Sequence, residues 1–182
     1  MLELVSGMKC TLTEANKPEL KSIGISFFWE RKPEYIDVPI NIDFGIIALK
    51  DGKKFDFLVN YIRPSFKAVQ HFGDCDDSDE KFIIDLEHLN PEITKLMVIM
   101  VVSYADSRNH SLDMISKLEL KLTDMGINTD LITWKKENFD NLENTTGMYV
   151  CELYLYKKQW KFHIIDKATF SKNFSQLTKS FR

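Results

Sequence analysis

The sequence predicts an all-β protein, a two-sheet β-sandwich of about ten mostly antiparallel strands with a few short helical segments. Three observations carry this expectation. Apolar and polar residues alternate over short stretches, so that Ile23, Ile25, Phe27 and Trp29 share one face of a strand. Two pairs of apolar runs are spaced as hairpins, one across Asp51-Gly52 and one across Lys157-Lys158. Little of the chain carries a helical period.

Taken in order, Lys9 to Thr13 reads as a short strand and Leu20 to Trp29 as a longer alternating one. The stretch from Arg31 to Pro39 contains prolines and reads as a loop. Asp43 to Leu49 is the next strand, and Phe55 to Val59 returns after the Asp-Gly turn. Residues 60–80 read as one long loop holding Pro64, Gly73 and an acidic cluster, and loops of this length are often functional. Strands follow at Phe82–Leu86, Lys95–Val102, Lys117–Thr123 and Thr129–Trp134. The continuous apolar run Leu96–Val102 fits a strand buried on both faces and is too short to cross a bilayer. Lys135 to Asn144 is polar, with room for one helical turn. Met148–Tyr156 and Gln159–Ile165 make a C-terminal hairpin, and Ala168–Lys179 reads as an amphipathic helix. The expected organisation is one domain over 1–182, with 167–182 as a C-terminal helical tail.

The chain has 182 residues, 44% hydrophobic and 28% charged, enough for a sizeable core and typical of a globular domain. A net charge of −3 argues against a dedicated nucleic-acid partner. The charge is uneven: from Lys157 to Arg182 seven basic residues face one acid, Asp166, which leaves an anionic membrane surface as a candidate contact. Cys10, Cys75 and Cys151 are odd in number and far apart, which suits a reducing compartment rather than a disulfide framework or zinc site. With no signal-peptide pattern at the first residues, the expected location is cytoplasmic. There is no Gly-x-Ser-x-Gly elbow, Gly-rich phosphate loop or His-Glu-x-x-His. His71, His88, His110 and His163 are scattered, each reading as an ordinary surface or core residue. The chain therefore reads as a non-enzyme.

The cluster Gly73-Asp74-Cys75-Asp76-Asp77-Ser78-Asp79-Glu80 carries five carboxylates in eight residues. Such a run is either solvated or neutralised by a cation, and close-spaced carboxylates suit an oxygen-seeking ion such as Ca²⁺. It is not an EF-hand: counted from Asp74, the sixth place is Asp79 instead of Gly and the twelfth is Asp85 instead of Glu. Oxygen donors from elsewhere complete the candidate set. Asn41 and Asp43 lie two apart and share a strand face, Asp106 follows the buried strand, and Glu30 follows Trp29.

In order along the chain, these pieces resemble the TerD family of bacterial tellurium-resistance and stress proteins, whose relatives include slime-mould proteins called cAMP-binding. The family's opening Leu-, Ser- and Gly-rich strand is matched by Leu4-Val-Ser-Gly-Met-Lys-Cys-Thr-Leu12. Its lysine-led strand ending in Gly-Trp-Asp is matched by Leu20-Lys-Ser-Ile-Gly-Ile-Ser-Phe-Phe-Trp-Glu30. Its Asp-x-Asp-x-Asp strand entry is matched by Asn41-Ile-Asp-Phe-Gly45, and its Gly-Asp-Asp-Glu loop by Asp77-Ser-Asp-Glu-Lys-Phe-Ile-Ile-Asp-Leu86. Asn90-Pro91, the buried strand ending near Asp106, and the closing Glu152-Leu-Tyr-Leu-Tyr-Lys-Lys-Gln-Trp-Lys-Phe162 complete the order.

The resemblance implies a TerD-like sandwich that binds calcium, two ions in the family, with Asn41, Asp43, Asp76, Asp77, Asp79 and Glu80 as ligands and Asp106 and Glu30 as supporters. It also implies protein partners in a stress-resistance complex and calcium-dependent contacts with them. Departures from the pattern at Asn41, Gly45, Glu30 and Ser78 remove or lengthen carboxylates, which weakens or removes one site. Two other functions follow from these departures and relatives: an interaction module that has lost calcium, and a binder of a small ligand such as a cyclic nucleotide, for which Arg31, Arg63 and Arg108 are the available cations.

Overall fold

The computed structural model describes residues 1–12, 20–60, 62–72, 79–171 and 173–181, apart from the side chains of 56–58. Thirteen strands lie among these residues: β1 (Leu2–Leu4), β2 (Lys9–Thr11), β3 (Ser22–Arg31), β4 (Asn41–Lys50), β5 (Lys53–Val59), β6 (Ser65–Phe66), β7 (Val69–Phe72), β8 (Asp79–Asp85), β9 (Lys95–Ser103), β10 (Ile115–Asp124), β11 (Thr129–Lys136), β12 (Gly147–Tyr156) and β13 (Gln159–Thr169). They form two sheets, of order β1-β11-β10-β3-β8-β7-β6 and β2-β13-β12-β9-β4-β5. Every pairing is antiparallel except that of β1 with β11. The all-β sandwich expected from the alternation is the fold observed.

The inner faces carry the core. Ile23, Ile25, Phe27 and Trp29 of β3 are all buried, as their phase requires, and meet Ile42, Phe44, Ile46 and Ala48 of β4. Phe27 stacks on Phe44 at 4.2 Å between ring centroids and meets Phe82 of β8 edge-on at 6.4 Å. The apolar run Leu96–Val102 is buried on both faces. Its even positions join the inter-sheet core, while Met97, Ile99 and Val101 pack outward with Ile47 and Leu49 under Phe174 and Leu177. Burial on both faces is why this strand reads as continuous rather than alternating.

Three segments differ from the sequence expectation. The long 60–80 loop contains a small hairpin, β6 and β7, and Asp79 and Glu80 already belong to β8. Residues 137–144 form turns without a helix. The C-terminal helix is far shorter than Ala168–Lys179: β13 continues to Thr169, and only α2 (Phe174–Thr178) and one 3₁₀ turn (Lys179–Phe181) are helical. Pairing of Gly147, Met148 and Tyr149 with Thr169, Ala168 and Lys167 holds this stretch in the sheet, a tertiary contact that overrides its helical pattern. The end of the chain is then pinned by Thr146 Oγ1 donating to the Ser171 carbonyl (2.7 Å) and Tyr149 Oη donating to the Leu177 carbonyl (3.0 Å).

On the outer face of the six-stranded sheet, Glu152 holds Lys95 at 2.5 Å and His163 at 3.0 Å. Burial pushes its carboxyl up, but these two partners outweigh burial and leave its pKa lowered. A carboxylate with a lowered folded pKa adds stability that is present above its unfolded value and lost as pH falls through the folded one. Glu152→Gln should therefore melt closer to the parent as pH drops below about 4.5 than it does at pH 7, read by circular dichroism across that range. An equal gap at all pH values would show that the carboxylate charge is irrelevant.

Candidate functional site

The start of β4, the end of β9, the end of β3 and the start of β8 meet at one end of the sandwich. Asn41 pairs with Ser103, and Phe28 with Asp79. Strand phase sends the candidate ligands Glu30, Asn41, Asp43, Asp79 and Glu80 to different faces.

Asn41 and Asp43 are in phase with Ile47 and Leu49, on the outer face of the six-stranded sheet. Asp43 is fully buried and its carboxylate accepts from Ser103 Oγ. The Asn41 Oδ1 atom is buried without a hydrogen-bond partner among the described residues. Glu80 is in phase with Phe82 and Ile84 and so points between the sheets, where it is 3% exposed. There it accepts from the Phe44 backbone N–H at 3.2 Å, just beyond the last β5 partner of β4, and lies 2.9 Å from His71 Nε2. Burial pushes the Glu80 carboxyl above the usual carboxylate range; the Asp43 charge adds to the rise, and the bonds from His71 and Phe44 oppose it. The strand entry and the start of β8 thus come together through Glu80, Phe44 and Asp43.

The other expected residues are placed apart from this group. Asp79 is exposed, on the opposite side of β8 from Glu80. Glu30 is exposed on the outer face of the seven-stranded sheet, 3.6 Å from Lys117 Nζ. Asp106 is exposed in the four-residue α1 (Ala105–Arg108), which follows β9. Asp76 and Asp77 lie outside the described residues. Among the described residues no three His, Cys, Asp or Glu side chains are grouped as a metal ion would require.

His71, which reads in sequence as one scattered histidine, is the buried side-chain partner of Glu80. Its signal was phase: His71 is in register with buried Val69 on β7, as Glu80 is with Phe82 on β8, and Phe82 pairs directly with His71. The arginines named for an anionic ligand are each stacked over a separate ring, Arg31 on Trp29, Arg63 on Phe66 and Arg108 on Tyr104. Cys151, wholly buried beside Glu152, has its thiol pushed far up by burial, which disfavours thiolate chemistry there.

Comparison with known proteins agrees with the fold. A family model described as the TerD domain matches residues 1–181. A tellurium resistance protein TerD from Serratia marcescens is 24% identical over 177 residues, 92% of this chain and 90% of its own. Stress response protein SCP2 from Bacillus subtilis (strain 168) is 23% identical over 139 residues, 71% of this chain and 69% of its own. Among solved structures, a homologue of telluride resistance protein (TerD), SCO6318 from Streptomyces coelicolor A3(2), superposes with a TM-score of 0.63 at 17% identity, covering 84% of this chain and 92% of that one.

Proposed function

This chain belongs to the TerD domain family, and from that premise we propose a non-enzymatic calcium-binding protein of the stress-response and tellurite-resistance type, acting through calcium-dependent contacts with other proteins. The observation that supports a cation is the strand entry. The fully buried Asp43 carboxylate stands in phase with Asn41, whose buried Oδ1 has no hydrogen-bond partner among the described residues, and close enough to Glu80 to add to the rise in its pKa. An all-oxygen donor set fits a hard ion such as Ca²⁺ in kind. In number it is short of the ~6–8 oxygens the ion takes. Asp76 and Asp77 are proposed to supply the remainder, with Asp79, Asp106 and Glu30 at the same end of the sandwich. Bound Ca²⁺ would supply positive charge to neutralise the carboxylates gathered there. Asn41 and Asp43 would hold it, and Glu80 would tie the entry to β8 through Phe44. Partners are then recognised by the surface these residues order.

A second reading has its own observation. Glu80 already receives two donors from the protein, His71 and the Phe44 N–H. That arrangement satisfies a buried carboxylate without an ion and suits an interaction module that has lost calcium. Titration calorimetry separates the two. Asp43→Asn should weaken Ca²⁺ binding by at least about tenfold, since ligand charge count tunes affinity over decades. Equal affinity in the variant and the parent would remove Asp43 from the site, and no heat with the parent would favour the calcium-free module.

Among the described residues no helix is long and apolar enough to cross a membrane.

A further inference from the structure

The basic stretch that begins at Lys157 finds no place in the calcium site. It lies far along the six-stranded sheet, on the β12–β13 hairpin. Register places Lys95, Tyr154, Lys161 and Thr11 in one row across β9, β12, β13 and β2, with Lys9 one row away opposite His163. Alternation sends these side chains to the outer face, since Leu153, Phe162 and Ile164 of the same strands point inward. Of these, Lys9, Thr11, Tyr154 and Lys161 line, together with Tyr156 and Cys10, a depression of about 380 Å³. That lies within the range of roughly 300–1,000 Å³ typical of small-ligand sites.

Its charge is unbalanced. Lys161 Nζ donates to Thr11 Oγ1 at 2.7 Å and sits 5.8 Å from the Tyr156 ring centroid, and Lys157 Nζ sits 5.4 Å from the same ring. Lys9, Lys157 and Lys161 make no ion pair with a carboxylate among the described residues. Glu152, the acid in the same row as His163 and Lys9, is already engaged by Lys95 and His163. Gathered ammonium groups repel until an anion neutralises them, and each offers three donors to its oxygens. The two tyrosine rings add flat apolar walls beside the charge, suited to stacking a second ring.

We propose that this depression binds an aromatic phosphate monoester, its phosphate held by Lys9, Lys161 and Thr11 with Lys157 at the rim, and its ring against Tyr154 and Tyr156. Three ammonium groups and a hydroxyl match a dianion better than a monocarboxylate. The site stands apart from the calcium reading and does not depend on it.

The test is titration calorimetry at low salt with phenyl phosphate, inorganic phosphate and phenol as probes. Phenyl phosphate should bind more tightly than inorganic phosphate by up to roughly tenfold, the worth of one ring pair, and phenol should give no heat. Lys9→Glu/Lys161→Glu should abolish binding of both phosphates. Tyr156→Ala should keep inorganic phosphate and lose the preference for the aryl ester. If the double charge reversal does not fold, Lys157→Glu, at an exposed turn position, should weaken both phosphates instead. Equal affinity for the two phosphates would overturn the proposal, as would unchanged binding in a folded charge-reversed variant.

Discussion

Phe27→Ala should cost about 3–5 kcal/mol of folding stability, the range for emptying a buried aromatic position. Phe27 is 1% exposed and joins the two sheets: its ring stacks on Phe44 of β4 and meets Phe82 of β8 edge-on. Its removal forfeits both ring contacts and leaves a cavity that two paired sheets cannot easily collapse. Phe27→Leu keeps most of the volume and should cost well under half as much. Urea denaturation of the three proteins measures this. A loss below about 1 kcal/mol for the alanine variant would mean that Phe27 is not packed between the sheets as described.

His71→Ala should be comparably severe, at about 3–5 kcal/mol, because it strips the main side-chain partner from a carboxylate buried between the sheets. The side chains of His71 and Glu80 are each 2% exposed and 2.9 Å apart, so water cannot readily replace the lost contact. Adding Glu80→Gln to His71→Ala removes the carboxylate left behind, and the double variant should be more stable than the sum of the single losses predicts. A double-mutant cycle reads this coupling directly. Strict additivity would show that the two groups do not interact in solution. The same cycle bears on function, since it measures how far the protein itself satisfies Glu80.

The fold was legible because its signals are local. Ile23 to Trp29 alternates, the Asp51-Gly52 turn carries φ of 50° and 78° as a primed hairpin turn requires, and Lys157 and Lys158 turn with positive φ likewise. What was missed is set by long-range pairing. β1 is three residues long and is held by parallel pairing with β11, more than a hundred residues away. Residues 167–169 carry a helical pattern, yet the β12 partners claim them for the sheet. In β12 the register shifts between Tyr149 and Cys151, so that Val150 and Cys151 both reach the core, which simple alternation cannot express.

The site was legible in composition more than in geometry. The family pattern names Asn41, Asp43 and Glu80; Glu80 accepts from the Phe44 N–H next to Asp43, but it points between the sheets while Asn41 and Asp43 take the outer face. Which face each side chain takes depends on strand phase: adjacent residues Asp79 and Glu80 look identical in a list of carboxylates and point to opposite sides of β8. His71 was missed because its importance comes from Glu80 on the next strand rather than from its own neighbours in sequence.

The most direct test of the calcium assignment is thermal melting of chelator-treated protein with and without millimolar Ca²⁺, with Mg²⁺ as the control and Asp43→Asn in parallel. An ion bound only to the folded state at about 100 times its dissociation constant adds about 2.7 kcal/mol, a rise of roughly 5–10 °C for a chain of this size. That rise is expected with Ca²⁺, little with Mg²⁺, and none in Asp43→Asn. Identical melting of the parent protein with and without Ca²⁺ would contradict the calcium assignment.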